Sequence, residues 1–297
     1  MSKTPSWRVA VRFRLSTLAV LLTAMAILLT ATMPAAEART RTAVTDIAHR
    51  GSSGSAPENT LAAVELALAQ HASYIEVDVQ RSADGELVII HDTTLQRTTN
   101  VEEVFPGRTS YRVGDFTLEE LKRLDAGSWF GEEFSGEQIP TLRELIDTIG
   151  GRAGLLLEFK APELYPGIEA EIAAEMESIP DYLKRALASE RLVVQSFNVT
   201  SMRLFHELQP EIPVGLLYGY RPSEAELVAA SEWADQINPS YRVTDQALVD
   251  RVHELGMTIS VYTLNTGKLM REYIALGVDG IISNYPAVLR DILHRRT

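Results

Sequence analysis

His49-Arg50-Gly51 closes one short apolar run, Glu76 and Asp78 alternate along a second, and His91-Asp92 closes a third. Glu158 and Lys160 repeat the theme at the end of LLLEFK. Residues i and i+2 of a strand face the same side. Glu76 and Asp78 can therefore share one cation, and Glu158 and Lys160 one anionic group. Glu76, Asp78 and Glu158 together would bring hard oxygen ligands to one point, a set suited to one divalent cation, Ca²⁺ or Mg²⁺, rather than zinc. Alternating acidic residues often just face solvent. These runs are otherwise apolar and belong in a core, where unpaired carboxylates are costly, so a metal or ion-pair role is the better reading. His49 and His91 end neighbouring runs. One neutral and one protonated imidazole would serve as base and acid in a displacement at phosphorus.

Formal charge narrows the substrate. Three carboxylates, one divalent cation, Arg50 and Lys160 sum to about +1, which complements the single negative charge of a phosphodiester. A nucleoside triphosphate would call for more positive charge and a P-loop, and the sequence has neither. The run Gly51-Ser-Ser-Gly54 reads equally as a phosphate loop and as a plain turn. His71, His206, His253 and His294 fall on helix-like stretches and read as surface or packing residues.

The chain has 297 residues and no cysteine. Thiol nucleophiles, zinc–thiolate sites and iron–sulfur clusters are thereby excluded. Lys3, Arg8, Arg12 and Arg14 precede an apolar run from Leu15 to Met33, and Ala36-Glu37-Ala38 offers a small-x-small cleavage site. That is the layout of a secretory signal peptide over residues 1–38, with residues 39–297 as the mature domain. The competing reading is an uncleaved membrane anchor, since about 18 apolar residues can just span a bilayer. An extracytoplasmic location is expected in either case. Without residues 1–38 the chain carries 24 Lys and Arg against 39 Asp and Glu, a net charge of −15. Such a body is repelled by nucleic acid and by anionic membranes, and any anionic small-molecule substrate needs a locally positive site, which a divalent cation would supply.

The elements that must position these residues follow from the periodicity. Strand-like runs fall at 44–48, 74–79, 87–91, 154–159, 192–196, 213–217, 234–238, 257–262 and 278–282. Helical periods lie between them at 60–70, 141–150, 167–178, 200–209, 223–231, 244–255, 266–276 and 286–293. Alternating strands and helices argue for a parallel sheet. Nine strands are one too many for a barrel, and Asp84-Gly85 accounts for the surplus as a two-residue hairpin loop. That loop makes 87–91 an antiparallel arm of the second strand and places His91 opposite Asp78. The remaining eight strands and eight helices make an α/β (β/α)₈ barrel, whose chemistry sits at the C-terminal strand ends. His49, Glu76, Asp78, Glu158 and Gln195 all fall there. Residues 92–140 are too long for a simple loop and read as a small insertion over the barrel mouth. Asn59 is expected to cap the first helix. Phe197 and Tyr262, at strand ends, read as pocket lining, whereas Trp129 and Phe130 fit insertion packing as well as substrate stacking.

The pieces AHRGSSGSAPENT (48–60), YIEVDVQRSADGELVIIHD (74–92), LDAGSWF (124–130), LLLEFK (155–160), VVQSFN (193–198), VYTLN (261–265) and GVDGIISNYP (277–286) run in one order along the chain. In this the chain resembles the glycerophosphodiester phosphodiesterase family, across nearly the whole mature length. The combined HRG…PENT…E-x-D…HD signature is specific where no single piece is. The resemblance implies a barrel with a small insertion, a divalent cation, and hydrolysis of glycerophosphodiesters to an alcohol and sn-glycerol 3-phosphate. Carried over by position, it implies His49 and His91 as the acid–base pair and Glu76, Asp78 and Glu158 as metal ligands. Arg50 and Lys160 would contact phosphate; Gln195, Phe197 and Tyr262 are expected on the substrate from their places at the strand ends. Two positions depart from the family pattern: Tyr262 stands where Trp is more frequent, and Asn284 where Asp is more usual. Both are expected to affect pocket shape more than the histidine and metal core. Lysophospholipase D or sphingomyelinase-D-like action on intact lipids, and teichoic-acid hydrolysis, are the nearest alternatives. A non-catalytic phosphoglycerol-binding module would not need both histidines.

Overall fold

The computed structural model describes residues 44–294, so the signal peptide expected at 1–38 and the lead-in at 39–43 lie outside the described residues. The strands are β1 (Thr45–His49), β2 (Tyr74–Arg81), β3 (Leu87–Ile89), β4 (Gly154–Phe159), β5 (Leu192–Ser196), β6 (Val214–Tyr218), β7 (Gln236–Pro239), β8 (Thr258–Val261) and β9 (Gly280–Ser283). Eight of them pair in parallel, and β1 bonds to both β2 and β9, which closes the sheet into a (β/α)₈ barrel. β3 is the antiparallel exception: it pairs with β2, and on its other side Val88 bridges Thr141 and Ile89 N donates to Pro140 O at 2.8 Å. Closure removes the sheet edges, and the period-two alternation divides each strand's residues between two cores. Ile47, Leu156, Val193 and Ile282 fill the barrel interior. Their neighbours, among them Ala48, Ile75, Val77, Leu155, Leu157 and Ile281, pack outward against the helices.

The helices start where short polar side chains satisfy free backbone N–H groups. Thr141 and Ser223 form capping boxes with Glu144 and Glu226. Asp245 and Thr266 cap the helices Gln246–Glu254 and Gly267–Leu276. The first helix departs from expectation. Its cap is Thr60, which accepts from Ala63 N, while Asn59 sits at φ 58° and turns its side chain elsewhere. A helix at Tyr182–Ala188 escapes the periodicity because Pro180 and Asp181 break the pattern just ahead of it.

The hairpin also departs by one residue. Val79 pairs with Ile89 and Arg81 with Leu87, so the loop holds three residues, Ala83-Asp84-Gly85, with Gly85 at φ 94°. Ser82 Oγ bonds Asp84 Oδ1 at 2.6 Å and accepts from Glu86 N at 2.9 Å, and these contacts favour the longer loop. Ile90, not His91, therefore faces Asp78, with Ile90 N donating to Asp78 O at 2.9 Å. A one-residue slip would turn His91 to the opposite face if the strand continued. β3 stops at Ile89, and the chain is free to turn back.

The insertion has a core of its own. Val88 and Ile90 of the arm pack with Leu95, Val101, Val113, Phe116, Leu121, Leu124, Ala126 and Ile139. It thus builds on the hairpin arm, and no residue from 93 to 140 lines the central cavity.

Candidate active site

The strand register assembles the acidic residues. His49 pairs with Glu76, and Asp78 with Glu158 two residues further along, so three adjacent strands present these side chains on two successive levels at the top of the apolar interior. One carboxylate oxygen from each of Glu76, Asp78 and Glu158 lies within 4.8 Å of the others, and all three residues are buried. Arg50 leaves β1 at φ 55°, a strained geometry for a side-chain-bearing residue, and this aims its backbone N–H at Glu76 Oε2, 2.8 Å away. The following Gly51, at φ 78°, passes so close to Ala63 that a Cβ would lie 2.6 Å from its carbonyl carbon. Asn59 donates to Asp78 Oδ2 at 2.9 Å and accepts from Asp78 N at 3.2 Å, which explains why it does not cap the helix.

The three carboxylates outnumber their cations. Arg50 Nε and Lys160 Nζ stand 3.5 and 3.6 Å from Asp78, too far for good hydrogen bonds, and Asp78 Oδ1 is buried without a partner. Burial, then Asp78 and Glu158, push Glu76 well above the ordinary carboxylate range. Burial and Asp78 likewise push Glu158 to about 7. Asp78 goes the other way: burial raises it, but Arg50 and Lys160 outweigh burial and hold it below its usual value. Hard oxygen donors, an unpartnered carboxylate oxygen and surplus negative charge fit a divalent cation held by Glu76, Asp78 and Glu158.

The imidazoles flank this cluster. His49 Nδ1 lies 2.6 Å from Asn284 Oδ1, and burial, then the Arg50 charge, lower its pKa to about 4. His91 Nδ1 lies 2.7 Å from Asp92 Oδ1, and His91 Nε2 is 2.7 Å from Lys160 Nζ. Burial is the main cause that lowers its pKa, and Asp78 and Asp92 oppose it. Lys160 also donates to Glu158 Oε1 at 2.9 Å. A cavity of about 160 Å³ opens on this group, lined by His49, Arg50, Glu76, His91, Glu158, Lys160, Gln195, Phe197 and Tyr262 among others.

The resemblance read from the motifs can now be set beside whole proteins. Residues 49–288 match the model of the glycerophosphoryl diester phosphodiesterase family. A glycerophosphodiester phosphodiesterase of Caldanaerobacter subterraneus is 39% identical over 84% of this chain and 97% of its own length. One from Bacillus subtilis is 33% identical over 84% of this chain and 85% of its own. The chain belongs to the glycerophosphodiester phosphodiesterase family. Among solved structures, an Oleispira antarctica phosphodiesterase in complex with the product sn-glycerol 3-phosphate superposes with a TM-score of 0.72 and 34% identity, covering 84% of this chain and 96% of its own. A glycerophosphodiester phosphodiesterase from Agrobacterium tumefaciens gives 0.66 and 29%, covering 84% and 99%. The fold and membership among the phosphoric diester hydrolases follow.

Apart from Trp129 and Phe130, every candidate residue named from the sequence of this phosphodiesterase family member reaches one site, with Asp78 lying beneath the cavity surface. Two points differ from the sequence reading. Asn284 bonds His49 directly, so it bears on the histidine core and not only on pocket shape. His91 arrives by a turn beyond β3 rather than by strand pairing. Buried Gln80 makes that turn possible: its Nε2 approaches Ile90 O, His91 O and Asp92 O at 2.8, 3.2 and 2.8 Å, while Tyr165 Oη donates to its Oε1 at 2.9 Å. Nothing in the sequence marks Gln80, because an isolated Gln in a strand reads as an ordinary polar position. Asn238 is another residue missed. It reaches across β6 to donate to Gln195 Oε1 at 2.8 Å, which leaves Gln195 Nε2 as the free donor. Only Gly215 leaves room, since a Cβ there would lie 2.7 Å from Asn238 Nδ2. Phe197 and Tyr262 meet edge to face at 6.0 Å on the cavity wall. Trp129 instead donates to Ala126 O and packs on Phe130 within the insertion.

Proposed function

We propose that this enzyme hydrolyses glycerophosphodiesters to an alcohol and sn-glycerol 3-phosphate, with one divalent cation, Ca²⁺ or Mg²⁺, and His49 and His91 as the acid–base pair. The observation that carries this reading is the convergence of three buried, under-neutralised carboxylates between two imidazoles at the mouth of the barrel. Glu76, Asp78 and Glu158 hold the cation, which when bound supplies a Lewis acid for the phosphoryl oxygens. Arg50 and Lys160 contact the phosphate, and Gln195 offers its free N–H to a substrate oxygen. The partners of the histidines divide their roles. With Asn284 Oδ1 accepting from Nδ1–H, the Nε2 of His49 is left unprotonated, and a neutral amide does little to stabilise an imidazolium. His49 therefore takes the proton of the nucleophile, either a water or the substrate's glycerol 2-hydroxyl; in the second case a cyclic phosphodiester forms first, and water then opens it to sn-glycerol 3-phosphate with the two histidines exchanging roles. Asp92 offers His91 a full carboxylate, which opposes the lowering of its pKa by burial and by the Arg50 and Lys160 charges, so His91 is the imidazole that can take up a proton at Nε2 once Lys160 turns from it to the phosphate. His91 gives a proton to the departing alcohol as the P–O bond breaks.

The enzyme is expected to act outside the cytoplasm, in lipid and glycerol metabolism, if residues 1–38 serve as the export signal. Leu164, Phe197 and Tyr220, which follow β4, β5 and β6, are each about half exposed, so an acyl chain is the second occupant worth testing. The test is a panel of glycerophosphocholine, glycerophosphoethanolamine, a lysophospholipid and glycerol-phosphate teichoic acid, incubated with Ca²⁺ or Mg²⁺. Release of sn-glycerol 3-phosphate from the first two supports the assignment. Product from the lysophospholipid alone would replace it with lysophospholipase D action.

A further inference from the structure

Arg50 and His91 approach the substrate from segments that backbone pairing does not hold together. Arg50 lies in the turn after β1, and His91 lies two residues beyond the end of β3. A chain of side chains joins them. Arg50 Nη1 donates to Glu58 Oε1 at 2.8 Å, and His91 Nδ1 meets Asp92 Oδ1 at 2.7 Å. Between these two carboxylates sits Arg97 of the insertion. Its Nη1 and Nη2 donate to Glu58 Oε2 and Oε1 at 3.0 and 2.7 Å. Its Nε and Nη2 donate to Asp92 Oδ2 and Oδ1 at 2.6 and 2.9 Å.

We propose that Arg97 is a positioning residue that locks the phosphate-contacting Arg50 and the imidazole of His91 into one rigid unit. The planar guanidinium uses four of its five N–H groups as two forks, a geometry that a lysine ammonium cannot reproduce. The same contacts keep Asp92 ionised, since the Arg97 hydrogen bonds are the largest cause of its lowered pKa. This gives the insertion a task at the active site although it contributes no lining residue. Arg97 is 45% exposed, so its replacement leaves the fold's main support intact.

The inference rests on the phosphodiesterase reading, and its test separates the two. Wild-type turnover of a glycerophosphodiester is measured first, and its absence would count against the function itself. With wild type active, Arg97→Ala and Arg97→Lys are compared for kcat, KM and melting temperature. A misplacement of about 1 Å can cost roughly 100-fold, so kcat is expected to fall by about 10–100-fold in both variants. Added guanidinium ion should restore part of the Arg97→Ala loss and none of an Asp92→Asn loss. In an Asp92→Asn background the Arg97→Ala change should lower kcat little further, because the link to His91 is already cut. Variants within twofold of wild type would overturn the proposal. So would a loss that guanidinium leaves untouched and that adds in full to Asp92→Asn, the behaviour of a merely structural residue.

Discussion

Replacing Glu76 by Gln should make the metal-free protein more stable while destroying its response to cations. Glu76 faces two other carboxylates whose oxygens lie within 4.8 Å. At an effective dielectric of about 20, each such pair repels by roughly 3.5 kcal/mol, or about 7 kcal/mol for the two pairs. The loss of attraction to Arg50 cancels about half of this, which leaves a gain of roughly 2–4 kcal/mol. The gain should increase with pH. Burial, Asp78 and Glu158 raise the pKa of Glu76, so its native-state cost is small in acid and grows as pH climbs from the ordinary carboxylate value. The Glu76→Gln side chain retains an oxygen for the Arg50 N–H, so the fold has no reason to change. In a chain of this size 1 kcal/mol shifts the melting point by about 2–4 °C, so the chelated variant should melt roughly 5–15 °C above chelated wild type. Cation at about a hundred times its dissociation constant should add roughly 2.7 kcal/mol to wild type and nothing to the variant. Melting curves in chelator and in Ca²⁺ or Mg²⁺ test both halves. A chelated variant less stable than wild type, or one that keeps the full cation response, would refute the reasoning.

Three further outcomes follow from the geometry. Asn284→Asp puts a carboxylate against His49 Nδ1, which should raise the His49 pKa above its value of about 4 and move the acid limb of kcat/KM up by about 1–3 pH units. An unmoved limb would count against His49 as the base. Gly215→Ala should displace Asn238 and release Gln195, raising KM by about tenfold at a cost of roughly 1–3 kcal/mol in stability, and unchanged kinetics would show that the Gln195 amide needs no orienting partner. Asp46 lies buried on the outer face of β1 with both oxygens unpartnered, and burial pushes its pKa from 3.8 to about 7. A raised carboxyl pKa costs stability progressively between these two values, so Asp46→Asn should gain up to roughly 4 kcal/mol above pH 7 and nothing near pH 3 in denaturant titrations.

The barrel was legible because each strand carries its own alternation and each helix its own period, signals that survive without long-range information. The acidic cluster was legible for the same reason: Glu76 and Asp78 are two apart in a run that is apolar outside them. What failed depended on single backbone choices. Asp84-Gly85 suits a two-residue or a three-residue loop, and the contacts of Ser82 favour the longer one. Asn59 has the chemistry of a helix cap, but at φ 58° its amide goes to Asp78. Gln80, Arg97 and Asn238 left no signal because each acts on partners far away in sequence or beyond the reach of strand periodicity. The second core under the insertion was hidden because its members sit in turns and very short helices, where apolar residues follow no period.

The most direct measurement is the rate of sn-glycerol 3-phosphate release from glycerophosphocholine by chelator-stripped enzyme, titrated with Ca²⁺ and with Mg²⁺. The expected result is negligible release in chelator, saturable restoration by at least one of the two ions, and no restoration in Glu76→Gln or His91→Ala. Turnover in the stripped wild type at the full rate, or a His91→Ala enzyme that works as well as wild type, would contradict a cation and two histidines acting as one site.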